Sequence, residues 1–160
     1  MSRPMSGSSR PVSRADSYPA LVGEPAERWA RFGATDRILY PNLLGIVVEE
    51  VRLDYCRMRL PFKPELQQAG GVVHGGAIAS LLDMVVVPAV GAALEPGARF
   101  STVDLHVQYL GALVDTDAVA EGWVTRRGRT IVFCEAEAVE AGTDRLLARS
   151  LLTYHVAPAR

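Results

Sequence analysis

The run Val73-His74-Gly75-Gly76 leads straight into a nearly all-apolar stretch, and Asp83 follows the histidine by nine positions. Two glycines opening a helix leave unpaired N–H groups accessible at its positive end. Without Cβ atoms, that backbone lets a ligand approach closely. Such a terminus could hold a carbonyl oxygen and stabilise the oxyanion that develops on attack. The same glycines would also suit tight packing of a loop against a sheet. Asp83 is the only charge between Gly75 and Val87, and burying an unpaired carboxylate is costly. It is either hydrogen-bonded for structure or kept for function, as a general base on water or as a nucleophile. Gly75 and Asp83 are eight residues apart, and eight residues span about 12 Å along a helix. One reacting carbonyl cannot touch both within one chain. If both act on one substrate, donor and carboxylate come from different subunits, and the site occurs twice at a two-fold dimer interface.

These residues need elements to hold them. From Ala77 to Leu94 is 18 residues, at the short edge of the roughly 20 a membrane span needs. Asp83, Pro88 and Gly91 interrupt the run, so a helix buried on every side is expected, and no membrane span. Ahead of it, Leu44 to Val51 reads as a strand. Tyr55 to Pro61 reads as a second, antiparallel strand, with Tyr55, Arg57 and Arg59 on one face and Cys56, Met58 and Leu60 on the other. Four strand-like runs follow, Phe100 to Leu110, Thr116 to Arg127, Thr130 to Glu140 and Arg145 to Val156, with turns at Gly111, Gly128 and Gly142. Short turns predict an antiparallel meander for these four. The fold class is therefore α+β, a curved antiparallel sheet around a central helix.

Residues 1–20 are rich in Ser, Pro, Arg and Gly and are expected to form a disordered tail. Residues 21–41 form a helical lead-in, with a short helix from Glu24 to Arg37, Pro25 in its first turn and Pro41 as its close. Residues 42–157 make one domain.

Composition removes other classes. The chain has 160 residues, 49% apolar and 22% charged, with a net charge of −1. That is one globular domain with no field to attract nucleic acid. Cys56 and Cys134 form no CxxC and read as apolar fillers in a reducing compartment. A GxSxG elbow, a P-loop and a GxGxxG run are all missing. Asp104 and His106 share a strand face, a spacing that reads as a solvated or interface pair, with no metal expected.

The segment Gly71-Val72-Val73-His74-Gly75-Gly76-Ala77 with Asp83, followed by Ser101-Thr102-Val103-Asp104-Leu105-His106-Val107-Gln108-Tyr109-Leu110, resembles the PaaI-like acyl-CoA thioesterases of the hotdog superfamily. Val124 to Thr130 and Leu146 to Tyr154 carry the same likeness, so it extends from about Asn42 to Val156. The resemblance implies a hotdog fold, a homodimer commonly paired into a homotetramer, and hydrolysis of an acyl-CoA to free acid and CoA. It implies Asp83 as the catalytic carboxylate and Gly75 as the glycine whose N–H polarises the thioester carbonyl, with His74 beside it. Gln68 falls where relatives carry an Asn or Gln that positions water or thioester, and Thr102 where a Ser or Thr assists across the interface. Gly76 joins the binding turn. Arg126, Arg127 and Arg129 read either as a grip on CoA phosphates or as a solvated hairpin tip.

The chain departs from relatives at Gly111-Ala112, where many continue Arg-Pro, and at Pro88, one turn past Asp83. No cofactor is expected beyond the CoA of the substrate, and the location expected is cytoplasmic. A non-enzymatic acyl-CoA binding module is the alternative reading. A hotdog dehydratase fits less well, since proton transfer there would want a His with a carboxylate and the motif carboxylate is Asp83 alone.

Overall fold

A computed structural model describes residues 13–33 and 38–157. Its centre is one helix, α3 (Gly75–Gly91), held in the hollow of a six-stranded antiparallel sheet. Two short helices precede the sheet, α1 (Glu24–Ala30) and α2 (Tyr40–Leu44). The strands are β1 (Val47–Arg52), β2 (Tyr55–Leu60), β3 (Arg99–Tyr109), β4 (Ala118–Arg127), β5 (Ile131–Glu140) and β6 (Leu146–Ala157).

Side-chain size explains how the helix fits. Part of the concave face of the sheet is built from small buried residues, Ala118, Ala120 and Gly122 on β4, Ala136 and Ala138 on β5, Ala148 and Ser150 on β6, beside the larger Met58, Leu60, Leu152 and Tyr154. Facing the small residues, α3 supplies bulk, with Leu81, Leu82, Val85, Val86 and Val90 fully buried. Gly122 marks the tightest approach, since a Cβ there would stand 2.7 Å from Cγ1 of Val85 and 2.8 Å from Cγ1 of Val86. Close packing of this kind makes interior volume changes costly. The helix runs on through Pro88 to Gly91.

The central helix and the strand positions agree with the sequence reading to within a few residues. Three features differ. First, the sheet order is β1-β2-β4-β5-β6-β3. Only β4, β5 and β6 form a meander; β3 crosses over and pairs with β6 at the far edge. The link from Leu110 to Asp117 is long enough to make that crossing, whereas a hairpin was expected at Gly111.

Second, residues 13–20 are not a disordered tail. Arg14–Ser17 form a 3₁₀ turn that buries Ala15. The Arg14 guanidinium lies 3.6 Å from the ring centroid of Trp123 and pairs with Glu121 at 3.3 Å and Glu137 at 3.0 Å. Tyr18 stacks on Tyr55 with centroids 5.2 Å apart. Aromatic and cation–π contacts compensate for the lack of apolar periodicity. The rest of the expected tail, residues 1–12, lies outside the described residues.

Third, the lead-in helix is shorter than expected. Its first piece ends at Ala30, residues 34–37 lie outside the described residues, and Pro41 opens α2 rather than closing a helix. Proline suits the first helical turn because its missing N–H is not needed there. Trp29 packs on Gly91, where a Cβ would meet its ring at 2.2 Å.

Candidate active site

The start of α3 is set by His74. This residue is the N-cap, with extended backbone, and its Nδ1 accepts the N–H of Gly76 at 2.8 Å. Its own N–H donates to the Leu66 carbonyl at 2.7 Å, and its carbonyl accepts the N–H of Ala77 at 2.9 Å. With Nδ1 accepting, Nε2 is the ring nitrogen that carries a proton. A Cβ at Gly76 would lie 2.9 Å from Nδ1, so the glycine is what lets the imidazole reach the amide. The Gly75 N–H, one turn-position earlier, has no partner among the described residues and is the free donor a helix N-terminus leaves.

Tyr109 supports that turn from β3. Its hydroxyl donates to the Gly75 carbonyl at 2.8 Å, and a Cβ at Gly75 would meet its ring at 3.2 Å. Nothing in the residues around Tyr109 marks it for a role at the site. An aromatic residue at a strand end reads as packing until the strand is placed beside the helix.

Asp83 is half-buried two turns further along α3. Thr102 donates from Oγ1 to Oδ1 of Asp83 at 2.9 Å. The Tyr154 hydroxyl lies 3.3 Å from the same Oδ1 and 3.1 Å from the Asp83 carbonyl oxygen. Oδ2 has no partner among the described residues. Burial raises the pKa of the Tyr154 phenol and the adjacent Asp83 charge adds to it, so the hydroxyl stays a donor. Tyr154 was also missed as a site residue, because an inward tyrosine on a strand carries no sign of what its hydroxyl meets.

Other expected residues are more dispersed. Gln68 is exposed, and its Oε1 accepts the N–H of Gly70 at 2.8 Å within its own loop. Arg126 and Arg129 are exposed at the β4–β5 hairpin. Arg129 borders a groove of about 550 Å³ with Leu94, Ala98 and Val156. Arg127 does something else: it pairs with Asp54 and donates from Nη2 to the carbonyls of Ala89 at 3.4 Å and Val90 at 3.2 Å. A cation at a helix C-terminus satisfies orphan carbonyls and complements the dipole. Cys56 and Cys134 are buried free thiols, and burial pushes Cys134 up to about 12.

The geometry has counterparts. The family model described as the thioesterase superfamily matches residues 70–147, from the loop before α3 into β6. The Halobacterium salinarum protein named "Putative esterase VNG_1336C" is 35% identical over 103 residues, covering 61% of this chain and 68% of that one.

The chain belongs to the thioesterase superfamily.

The family and its esterase and thioesterase relatives make it a thioester hydrolase. Human acyl-coenzyme A thioesterase 13 is 29% identical to this thioesterase over 102 residues, 63% of this chain and 71% of that one. Among solved structures, the Escherichia coli PaaI protein from the phenylacetic acid degradation operon superposes with a TM-score of 0.73 over 82% of this chain and 94% of that one. Its sequence identity is 14%, so that likeness concerns the hotdog fold. Among the described residues of the thioesterase, no helix is long and apolar enough to cross a membrane.

Proposed function

We propose that this thioesterase hydrolyses acyl-CoA thioesters to the free acid and CoA at a site formed across a homodimer. One observation carries the reading: Asp83 presents an open Oδ2 from an otherwise apolar helix, with Oδ1 engaged by hydroxyls. The name of the human relative supports the substrate class.

In this reading Asp83 acts as a general base. Oδ2 takes a proton from water as the water oxygen bonds to the thioester carbonyl carbon. The N–H of the partner subunit's Gly75 donates to the oxyanion that forms. The tetrahedral intermediate then collapses, the C–S bond breaks, and the thiolate of CoA recovers the proton. Gln68, its Oε1 already held by Gly70, presents Nε2 to the thioester or the water. Gly76 and His74 keep the glycine turn in shape, and Thr102 keeps the carboxylate oriented. Arg126 and Arg129 are the exposed cations available to the CoA phosphates.

Two subunits are required because Gly75 and Asp83 of one helix are about 12 Å apart. The edge strand β3 supports the pairing, for among the described residues its outer edge is unpaired, and the strand exposes Val103 at 62% and Leu105 at 36%. An exposed apolar edge of this kind is a template for strand addition. The homotetramer implied by the resemblance would be two such dimers.

The test is thiol release from acetyl-, hexanoyl-, dodecanoyl-, phenylacetyl- and benzoyl-CoA, with Asp83→Asn beside the wild type. The wild type is expected to release CoA, and the variant to lose at least about 100-fold of that turnover. Near-wild-type turnover by a folded Asp83→Asn protein overturns the mechanism. Hydrolysis in ¹⁸O-water adds a positive test for a nucleophile, since label enters the Asp83 side chain when water attacks the Asp83 carbonyl of a mixed anhydride and the acyl group leaves with the aspartate oxygen.

A further inference from the structure

We infer that Tyr154 is a positioning residue for the catalytic carboxylate, pinning Oδ1 of Asp83 together with Thr102 so that Oδ2 alone is left to face the substrate. The inference rests on the proposed role of Asp83 as the base.

Thr102 and Tyr154 are direct cross-strand partners in the β3–β6 ladder. Both hydroxyls therefore reach α3 from one point of the sheet. The ladder shifts register immediately after, between Thr102 and Asp104, so β3 passes Asp83 with Thr102 turned toward it. A bulge is a usual device for re-aiming one side chain beside a site. Tyr154 itself is fixed. It is 1% exposed, and its ring packs against Phe100 with centroids 6.2 Å apart.

A buried tyrosine hydroxyl needs a partner wherever it sits, and the Asp83 main-chain carbonyl at 3.1 Å would be enough. The geometry goes further. The same hydroxyl stands 3.3 Å from Oδ1, and Thr102 converges on that oxygen at 2.9 Å. A hydroxyl spanning the main-chain and side-chain oxygens of one residue holds its side-chain torsions. A base whose second oxygen is committed has one orientation for proton transfer, and such preorganisation by supporting hydrogen bonds is what sets precision at a site.

The experiment is a double-mutant cycle on CoA release. Tyr154→Phe keeps the ring and removes the donor, and kcat is expected to fall about 10-fold with KM unchanged, in line with loss of a hydrogen bond to a charged group. In the Asp83→Asn background the same substitution should change the residual rate by less than about twofold, because the group it acts through is gone. A purely structural tyrosine would lower both backgrounds alike, and that result overturns the inference. So does a Tyr154→Phe protein with wild-type kcat. Thr102→Val provides a second variant on the exposed edge strand: it should also lower kcat, and Thr102→Ser should restore it. Wild-type kcat in Thr102→Val overturns the shared pin whether or not Tyr154→Phe folds. The failures are distinguishable, since an active Asp83→Asn protein removes the base itself, whereas an inactive Asp83→Asn beside an active Tyr154→Phe removes only the pin.

Discussion

At the scale of single residues, the two ends of the proposed catalytic segment are prepared differently. His74 uses its imidazole Nδ1 to occupy the Gly76 amide, which leaves the Gly75 amide open. The histidine thus shapes the donor without needing to touch the reacting atoms. His74→Ala is expected to cost about 1 kcal/mol, the usual value for a lost N-cap. For a chain of this length that amounts to about 3 °C in the melting temperature. Calorimetry on the variant checks it, and a melting temperature equal to wild type would show that the cap adds nothing. Asp83 is the opposite case, a side chain whose partners lie on other elements, so its substitution should be read in turnover more than in stability.

At the scale of elements, α3 is held at both ends by side chains from the sheet. Tyr109 holds the first turn, and Arg127 with Asp54 holds the last. This divides the three arginines of the β4–β5 hairpin. Arg127→Ala should destabilise the protein by about 1–2 kcal/mol, since it removes a partly buried cation from a helix C-terminus and leaves Asp54 unpaired. It should leave the KM for acyl-CoA within about twofold once the protein is folded. Arg126→Ala combined with Arg129→Ala should do the reverse, raising KM several-fold with little change in melting temperature, because exposed phosphate contacts are modest individually. Parallel denaturation and steady-state kinetics separate the two patterns. A large KM effect from Arg127→Ala alone would return that residue to the binding surface.

At the scale of the molecule, the edge strand and the charge network govern behaviour. Leu105 lies on the exposed β3 edge that the proposed dimer covers. Leu105→Asp should give a folded monomer that releases no CoA, measured by sedimentation and by thiol assay. A fully active monomer would refute the shared site. The outer sheet face carries a lattice of ion pairs in which Glu49 meets Arg57 at 2.8 Å and Arg59 at 2.5 Å. Burial alone would raise the pKa of Glu49, but the hydrogen bonds from Arg57 and Arg59 outweigh it and the net shift is downward from 4.5. The unfolded chain therefore binds this proton first as pH falls. The contribution of Glu49 to stability is complete above pH 4.5 and is lost as the pH drops through its lowered folded-state value. Urea midpoints measured between pH 3 and pH 7 should be flat in the upper half of that range and fall below it. The decline should be shallower in Glu49→Gln.

The sequence by itself determined the central helix, the strand runs and the carboxylate with its glycine turn. Those are local: an apolar run with one Asp, alternating strands, and a His-Gly-Gly start each carry their cause within a few residues. Pairing was decided only by tertiary structure. The position of β3 beside β6 rather than β4 depends on a crossover that local turn chemistry does not encode. That pairing brings Thr102 opposite Tyr154, and both against Asp83. The same holds for Arg127, which reads as a surface cation in a basic hairpin until the end of α3 is placed beneath it. It holds for Arg14 and Tyr18, whose composition suggests a tail but whose aromatic partners sit more than thirty residues away on β2 and β4. Contacts between distant residues are fixed by where the sheet curls around the helix, and that is a property of the assembled core, not of any one segment.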